Sequence, residues 1–218
     1  MFVEYFYIIY SFIAMVKIYF FAFYLITCYN IVMLTVVLAR KVRFIMNMET
    51  KNVIEKIKKA VHRPINFKDF KSPCTRANTN CFALAIGSTV TADKTLYQLG
   101  RISGSKKPLD ERFFSIEEVK DSFLADLEAL DLKYESLDLL DKNQILEYTS
   151  RLKLKKNEHI VVMFVGMISE IITDFHFLRF DYRGWSEKRG FTSFLTGENV
   201  SWPCDLVYKL VGCYNITR

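Results

Sequence analysis

Three observations predict an α+β domain in which helices come first and an antiparallel sheet follows. Capped, amphipathic stretches occupy the chain before the 130s. From His159 onward the pattern changes to continuous or alternating apolar runs rich in β-branched and aromatic residues. A Tyr182-Arg-Gly184 turn then joins two of those runs as a hairpin, which makes the sheet antiparallel. Helices followed by strands, without regular alternation, predict α+β.

The chain has 218 residues, enough for one domain of ordinary size plus an appendage. Composition changes sharply near Arg40. Residues 1–45 hold four bases (Lys17, Arg40, Lys41, Arg43) against one acid (Glu4), which is half of the chain's net charge of +6. The remaining charge is too small and too scattered to argue for nucleic acid as a partner. Ile18 to Ala39 is an uncharged, mostly apolar run, long enough for a membrane helix. The bases that follow it would place the next domain on the cytoplasmic side. The run is too long for a secretory leader, and Glu4 stands where a basic start is expected. A second reading is that residues 1–45 are not translated. Arg40-Lys-Val-Arg43 can be encoded by a purine-rich string like a ribosome-binding site, with the true start at Met46 or Met48. The expected organisation is therefore a hydrophobic segment over 1–45 and an α+β domain over 46–218, either cytoplasmic or membrane-anchored through residues 18–39.

Asn52 to His62 reads as an amphipathic helix with Val53, Ile54, Ile57 and Val61 on one face, ended by Pro64. Ile65 to Asn80 reads as a loop anchored by Phe67 and Phe70. A short helix follows, with Asn80 or Thr79 as its cap and Cys81 in its first turn. Gly100-Arg-Ile-Ser-Gly104-Ser-Lys-Lys misses the spacing of a phosphate loop and follows no strand, so a connecting or substrate-facing loop is expected. Ser115-Ile-Glu-Glu118 is a capping box opening a helix. Ile116, Val119, Phe123, Leu124, Leu127 and Leu130 form its stripe; Lys120, Asp121, Asp126 and Glu128 fall largely outside it. Lys133 to Leu139 is a candidate strand, and Asn143 to Leu154 is either a helix or a helix–strand mix. His159 to Gly166 is a buried strand. Thr173 to Asp181 is a second, with Asp174, His176, Leu178 and Phe180 on one face and Phe175, Phe177 and Arg179 on the other. Trp185 to Lys188 begins the return strand. After Trp202-Pro-Cys-Asp, Leu206 to Tyr214 reads as a closing strand.

Five cysteines (Cys28, Cys74, Cys81, Cys204, Cys213) are an odd number with no CxxC pair, which argues against a disulfide framework or zinc ribbon and for free thiols. No cofactor or metal is implied. Cys81 stands apart because unpaired N–H groups at a helix start favour thiolate over thiol. Its plain alternative is a small buried apolar residue. A thiol nucleophile also needs a base and a group to orient that base. His176, on a strand, is the candidate base. His159, opening the preceding strand, is the rival. Cys204 and Cys213 read as structural filler.

Asn80-Cys81-Phe-Ala-Leu-Ala-Ile-Gly87, then Asp174-Phe-His-Phe-Leu-Arg179, then Gly184-Trp-Ser-Glu-Lys-Arg-Gly190 resemble a set of bacterial and phage proteins. Their pattern runs N-C-Y-A-Y-A-L-G, D-Y-H-F-Y-R and G-x-W-S-H-K-P-G. Those proteins look like relatives of the papain-like NlpC/P60 and CHAP cysteine peptidases and amidases. The resemblance covers about Pro73 to Gly190. Trp185 departs from the pattern by following Gly184 directly, Glu187 stands in place of His, and Arg189 in place of Pro. The resemblance implies a papain-like fold, a nucleophile at Cys81, a base at His176 and a third residue at Glu187, with Asp174 as the other candidate orienter. It implies a peptide or peptidoglycan amide as substrate. An oxyanion hole would use the Cys81 N–H and a donor from the preceding loop, where Asn78 and Asn80 are available; a papain-type Gln is missing. The expectation is a thiol-dependent amide hydrolase, and the alternative is an inactive binding module of the same fold.

Overall fold

A computed structural model describes residues 33–36, 38–41, 47–92, 94–106, 112–190, 193–203 and 205–218. The chain divides into two units, Met1–Asn52 and Val53–Arg218. In the first, residues 33–36, 38–41 and 47–52 are helical, and Met33, Leu34 and Leu38 are exposed. Most of the proposed membrane run lies outside the described residues. Among those described, no helix is long and apolar enough to cross a membrane.

In the second unit, helices lead and a six-stranded antiparallel sheet follows. Residues 53–61 are helical (α1), and Ile57 and Val61 are fully buried, as the apolar stripe requires. The segment Ile65 to Asn80 is not a plain loop. It holds two short helices, α2 (Phe67–Phe70) and α3 (Pro73–Asn78), started by the side chains of Asn66 and Ser72. Next come α4 (Cys81–Ile86), a 3₁₀ turn over Lys94–Tyr97, and α5 (Ile116–Ala129), whose Ser115 cap accepts from the Glu118 N–H. Asp126 departs from its expected outward place. It is fully buried, and its carboxylate accepts the Gly100 and Ser103 N–H groups, both at 2.7 Å. The glycine loop is thus a connection clamped to α5.

The strands are β1 (Lys133–Leu137), β2 (Glu158–Ile168), β3 (Ile171–Asp181), β4 (Gly184–Lys188), β5 (Phe194–Thr196) and β6 (Tyr208–Thr217), with α6 (Lys142–Arg151) between β1 and β2. Their order is β1-β6-β2-β3-β4-β5. The last strand closes the sheet from within, between β1 and β2, which no local pattern announces. β2 is continuous in apolar residues because both of its faces are covered. Val161, Met163 and Val165 join Phe82, Phe123 and Phe177 in the core beneath the helices. Ile160, Val162 and Phe164 meet Ile145, Leu178 and Cys213 on the opposite side.

Candidate active site

The placement of Cys81 begins with Asn80. Its Oδ1 accepts the Ala83 N–H at 3.1 Å, capping α4, while its Nδ2 donates to the Tyr97 carbonyl at 2.7 Å. Asn80 is therefore committed to structure on both sides, with its carbonyl oxygen and one of its two amide N–H groups engaged. Asn78 donates to the Cys74 carbonyl at 2.9 Å. Gly87 ends the helix in the left-handed conformation, φ +80°, and the last-turn carbonyls gain side-chain donors. Arg179 Nη1 reaches Leu84 O and Ala85 O at 3.3 and 3.0 Å, and His159 Nε2 lies 2.9 Å from Ala85 O.

That contact answers the question of the rival base. His159 serves the end of α4 opposite to Cys81. Burial, with Arg179 and Arg218 nearby, pushes its pKa well down, so the ring is neutral and donates from Nε2. The structure does not bring His159 to the thiol.

It does bring His176 there. α4 packs on β3 and β4. Pairing between β3 and β4 runs from Asp181 with Gly184 to Leu178 with Glu187, leaving the β4-side edge of β3 open below Leu178. At that open edge the Cys81 Sγ lies 3.7 Å from the Phe175 carbonyl oxygen. The next residue is His176, and the Cys81 sulfur favours the charged form of its ring. Strand alternation alone would have put His176 on the sheet face away from α4. The uncovered edge is what lets a residue of each layer meet.

Glu187 completes the group. It lies on the His176 face, and its Oε1 is 3.2 Å from His176 Nε2. This is the distance of a charge pair, but the ring N–H is not aligned for a hydrogen bond to that oxygen. Glu187 is 3% exposed, so it is no surface charge on an edge strand. It also accepts from Arg189 Nε at 3.0 Å and from the Ser201 N–H at 3.3 Å. Burial would raise its pKa; His176, Arg189 and the Ser201 N–H outweigh that and hold it low. Burial likewise opposes the imidazolium form of His176. The Cys81 sulfur and the Glu187 carboxylate overcome it, and the ring's pKa is pushed up to about 9.

Asp174 does not pair with His176. Its carboxylate accepts from the Tyr208 hydroxyl and from the Phe175 N–H, and Tyr208 stands edge-on to the His176 ring with centroids 6.2 Å apart. Asp181 points away, as the alternation requires, into a buried ion cluster with Arg179 and Arg183. A cleft of about 380 Å³ opens over His176 and Glu187, lined also by Asp174, Arg189, Trp202 and Tyr208. Sequence reasoning missed Tyr208 and Trp202 at this site and gave no role to Lys188, which lies within the quoted motif. A motif match by spacing does not reveal residues delivered by the last strand or its approach loop. Cys213 is buried in the apolar layer beside α6; Cys204 lies outside the described residues.

No family model, no curated protein and no solved structure matches this chain.

Proposed function

We propose that the chain is a thiol-dependent hydrolase of amide bonds, in a peptide or in peptidoglycan, with a papain-like arrangement of helix and sheet. One observation carries the reading: the sulfur of Cys81, at the start of α4, lies 3.7 Å from the β3 backbone at Phe175, the residue before His176, and Glu187 stands behind the His176 ring. The Cys81 sulfur attacks the substrate carbonyl carbon and a C–S bond forms. The carbonyl oxygen takes the electron pair and is met by the Cys81 N–H, which has no acceptor within the helix. Collapse breaks the C–N bond, and the His176 imidazolium delivers its proton to the departing amine. Water then attacks the thioester while the neutral ring takes its proton, and the thiolate leaves the released acid. Glu187 stabilises the imidazolium throughout, as a carboxylate does in a triad.

A second reading, an inactive binding module of the same fold, is favoured by the Cys81 side chain, which is only 3% exposed, and by the commitment of Asn80 to structure. Alkylation by iodoacetamide at mildly acidic pH separates the two. The enzyme reading expects fast, stoichiometric labelling of Cys81, abolished in His176→Ala. Labelling no faster than at the exposed Cys74 would leave the binding module ahead.

A further inference from the structure

Lys188 has no place in the chemistry above, yet it is one of the largest fully buried side chains in the domain. It follows Glu187 on β4, so alternation sends it to the opposite face, toward the helices. Its Nζ donates to Arg76 O at 3.0 Å and to Gly190 O at 2.9 Å. Arg76 lies in the last turn of α3, and the chain runs from there through Thr79 and Asn80 directly to Cys81. Gly190 lies in the turn that leaves β4.

A buried ammonium is costly unless an anion compensates it, because two carbonyl dipoles do not replace its water shell. Among the described residues no carboxylate pairs with Lys188 Nζ. Glu187 is spent on His176 and Arg189 across the sheet, and Asp174 on Tyr208. Arg76, on α3, is a like charge that opposes it. The one anion-forming group that favours the ammonium is the Cys81 sulfur.

We propose that Lys188 is a positioning residue for Cys81: its buried ammonium, moored to the segment before α4 and to the turn after β4, fixes the start of that helix against β4 and adds a second cation on the sulfur's side of the sheet. This rests on reading Cys81 as the nucleophile. Burial brings the ammonium's pKa down to about 8, the sulfur drawing it up and Arg76 down. Lys188 therefore holds its charge through neutral pH, over the range in which His176 is also protonated. Tyr208 is kept protonated by burial, by Asp174 and by the Cys81 sulfur.

Two measurements on the full chain test this. In the first, the pH profile of Cys81 alkylation is followed by mass spectrometry in wild type and in Lys188→Met, with Cys74 as internal reference and circular dichroism as the check on folding. The expected result is a shift of the Cys81 profile to higher pH by about one unit or more, with Cys74 unmoved. A folded Lys188→Met protein with an unmoved Cys81 profile overturns the proposal. Should that variant not fold, the second measurement decides. Lysine labelled with ¹³C at Cε is titrated by NMR in wild type and in Cys81→Ser, which keeps Lys188. The expected result is one buried lysine titrating near pH 8 and moving lower when the sulfur is removed. No movement overturns the pairing. The NMR result depends on the ion pair and not on turnover, so loss of the hydrolase reading in a substrate assay is distinguishable from loss of this one.

Discussion

The His176 pKa is drawn up by two groups of different kinds, the Cys81 sulfur and the Glu187 carboxylate, and each can be removed separately. Deleting either lowers the ring's pKa from about 9, since an imidazolium loses stabilisation whenever a neighbouring negative charge disappears. Titration of the ring by NMR is expected to show the value falling in Cys81→Ser and falling again in Cys81→Ser with Glu187→Gln. A ring that titrates alike in all three proteins would exclude the pairing. Asp181 is the second residue whose charge matters, although it lies outside the site. Burial would raise its pKa, but Arg183 Nη2 at 2.7 Å and Arg179 Nε at 3.4 Å hold it below the usual carboxylate range. A depressed folded-state pKa gives stability that is present above the unfolded value of about 3.9 and lost as pH falls through the folded one. Asp181→Asn leaves Arg179 buried beside Arg183 and Arg218, and is expected to cost about 3 kcal/mol in urea denaturation at neutral pH.

α4 is the element on which the others converge, and it is short, so its ends matter more than its length. Gly87 closes it at φ +80°, with its N–H shared between the Ala83 and Leu84 carbonyls. A Cβ there would stand 2.6 Å from Arg218 Nη2 and 2.7 Å from Ile65 Cδ1. Gly87→Ala is expected to destabilise by about 1–2 kcal/mol, from the backbone conformation before any clash is counted, read as a lower urea midpoint. The elements legible in the sequence were those with a strong local signature. The Ser115 capping box announced α5, and β-branched continuity announced β2. Alternation announced β3 and correctly sorted His176 from Phe177. The short helices α2 and α3 were hidden because fewer than two turns hold no apolar stripe. β5, at three residues, is too brief for a period to show. Asp126 read as a solvent-facing charge because its partners, the Gly100 and Ser103 N–H groups, lie in a loop well before α5, which no local window contains.

For the whole molecule, the division at Asn52 leaves both core layers and every described residue of the candidate site in Val53–Arg218. A chain beginning at Met46 is expected to unfold in one cooperative transition, with Cys81 alkylated at the rate seen in the full chain. A broad transition, or loss of Cys81 reactivity, would show that the first 45 residues contribute to this domain. The class of fold was legible from the order of helices and strands, whereas the neighbours of β6 were not, because long-range pairing leaves no trace in local spacing. The hairpin of β3 and β4 has a wider consequence. Consecutive residues of one five-residue strand send a negative group to one side of the sheet and a positive group to the other. Slipping that strand by a single position would turn the carboxylate to the helix side of the sheet and the ammonium to the imidazole side. The Tyr182–Gly184 turn thereby decides which charge faces which side of the sheet, and lengthening it by one residue alters that arrangement without touching Cys81 or His176.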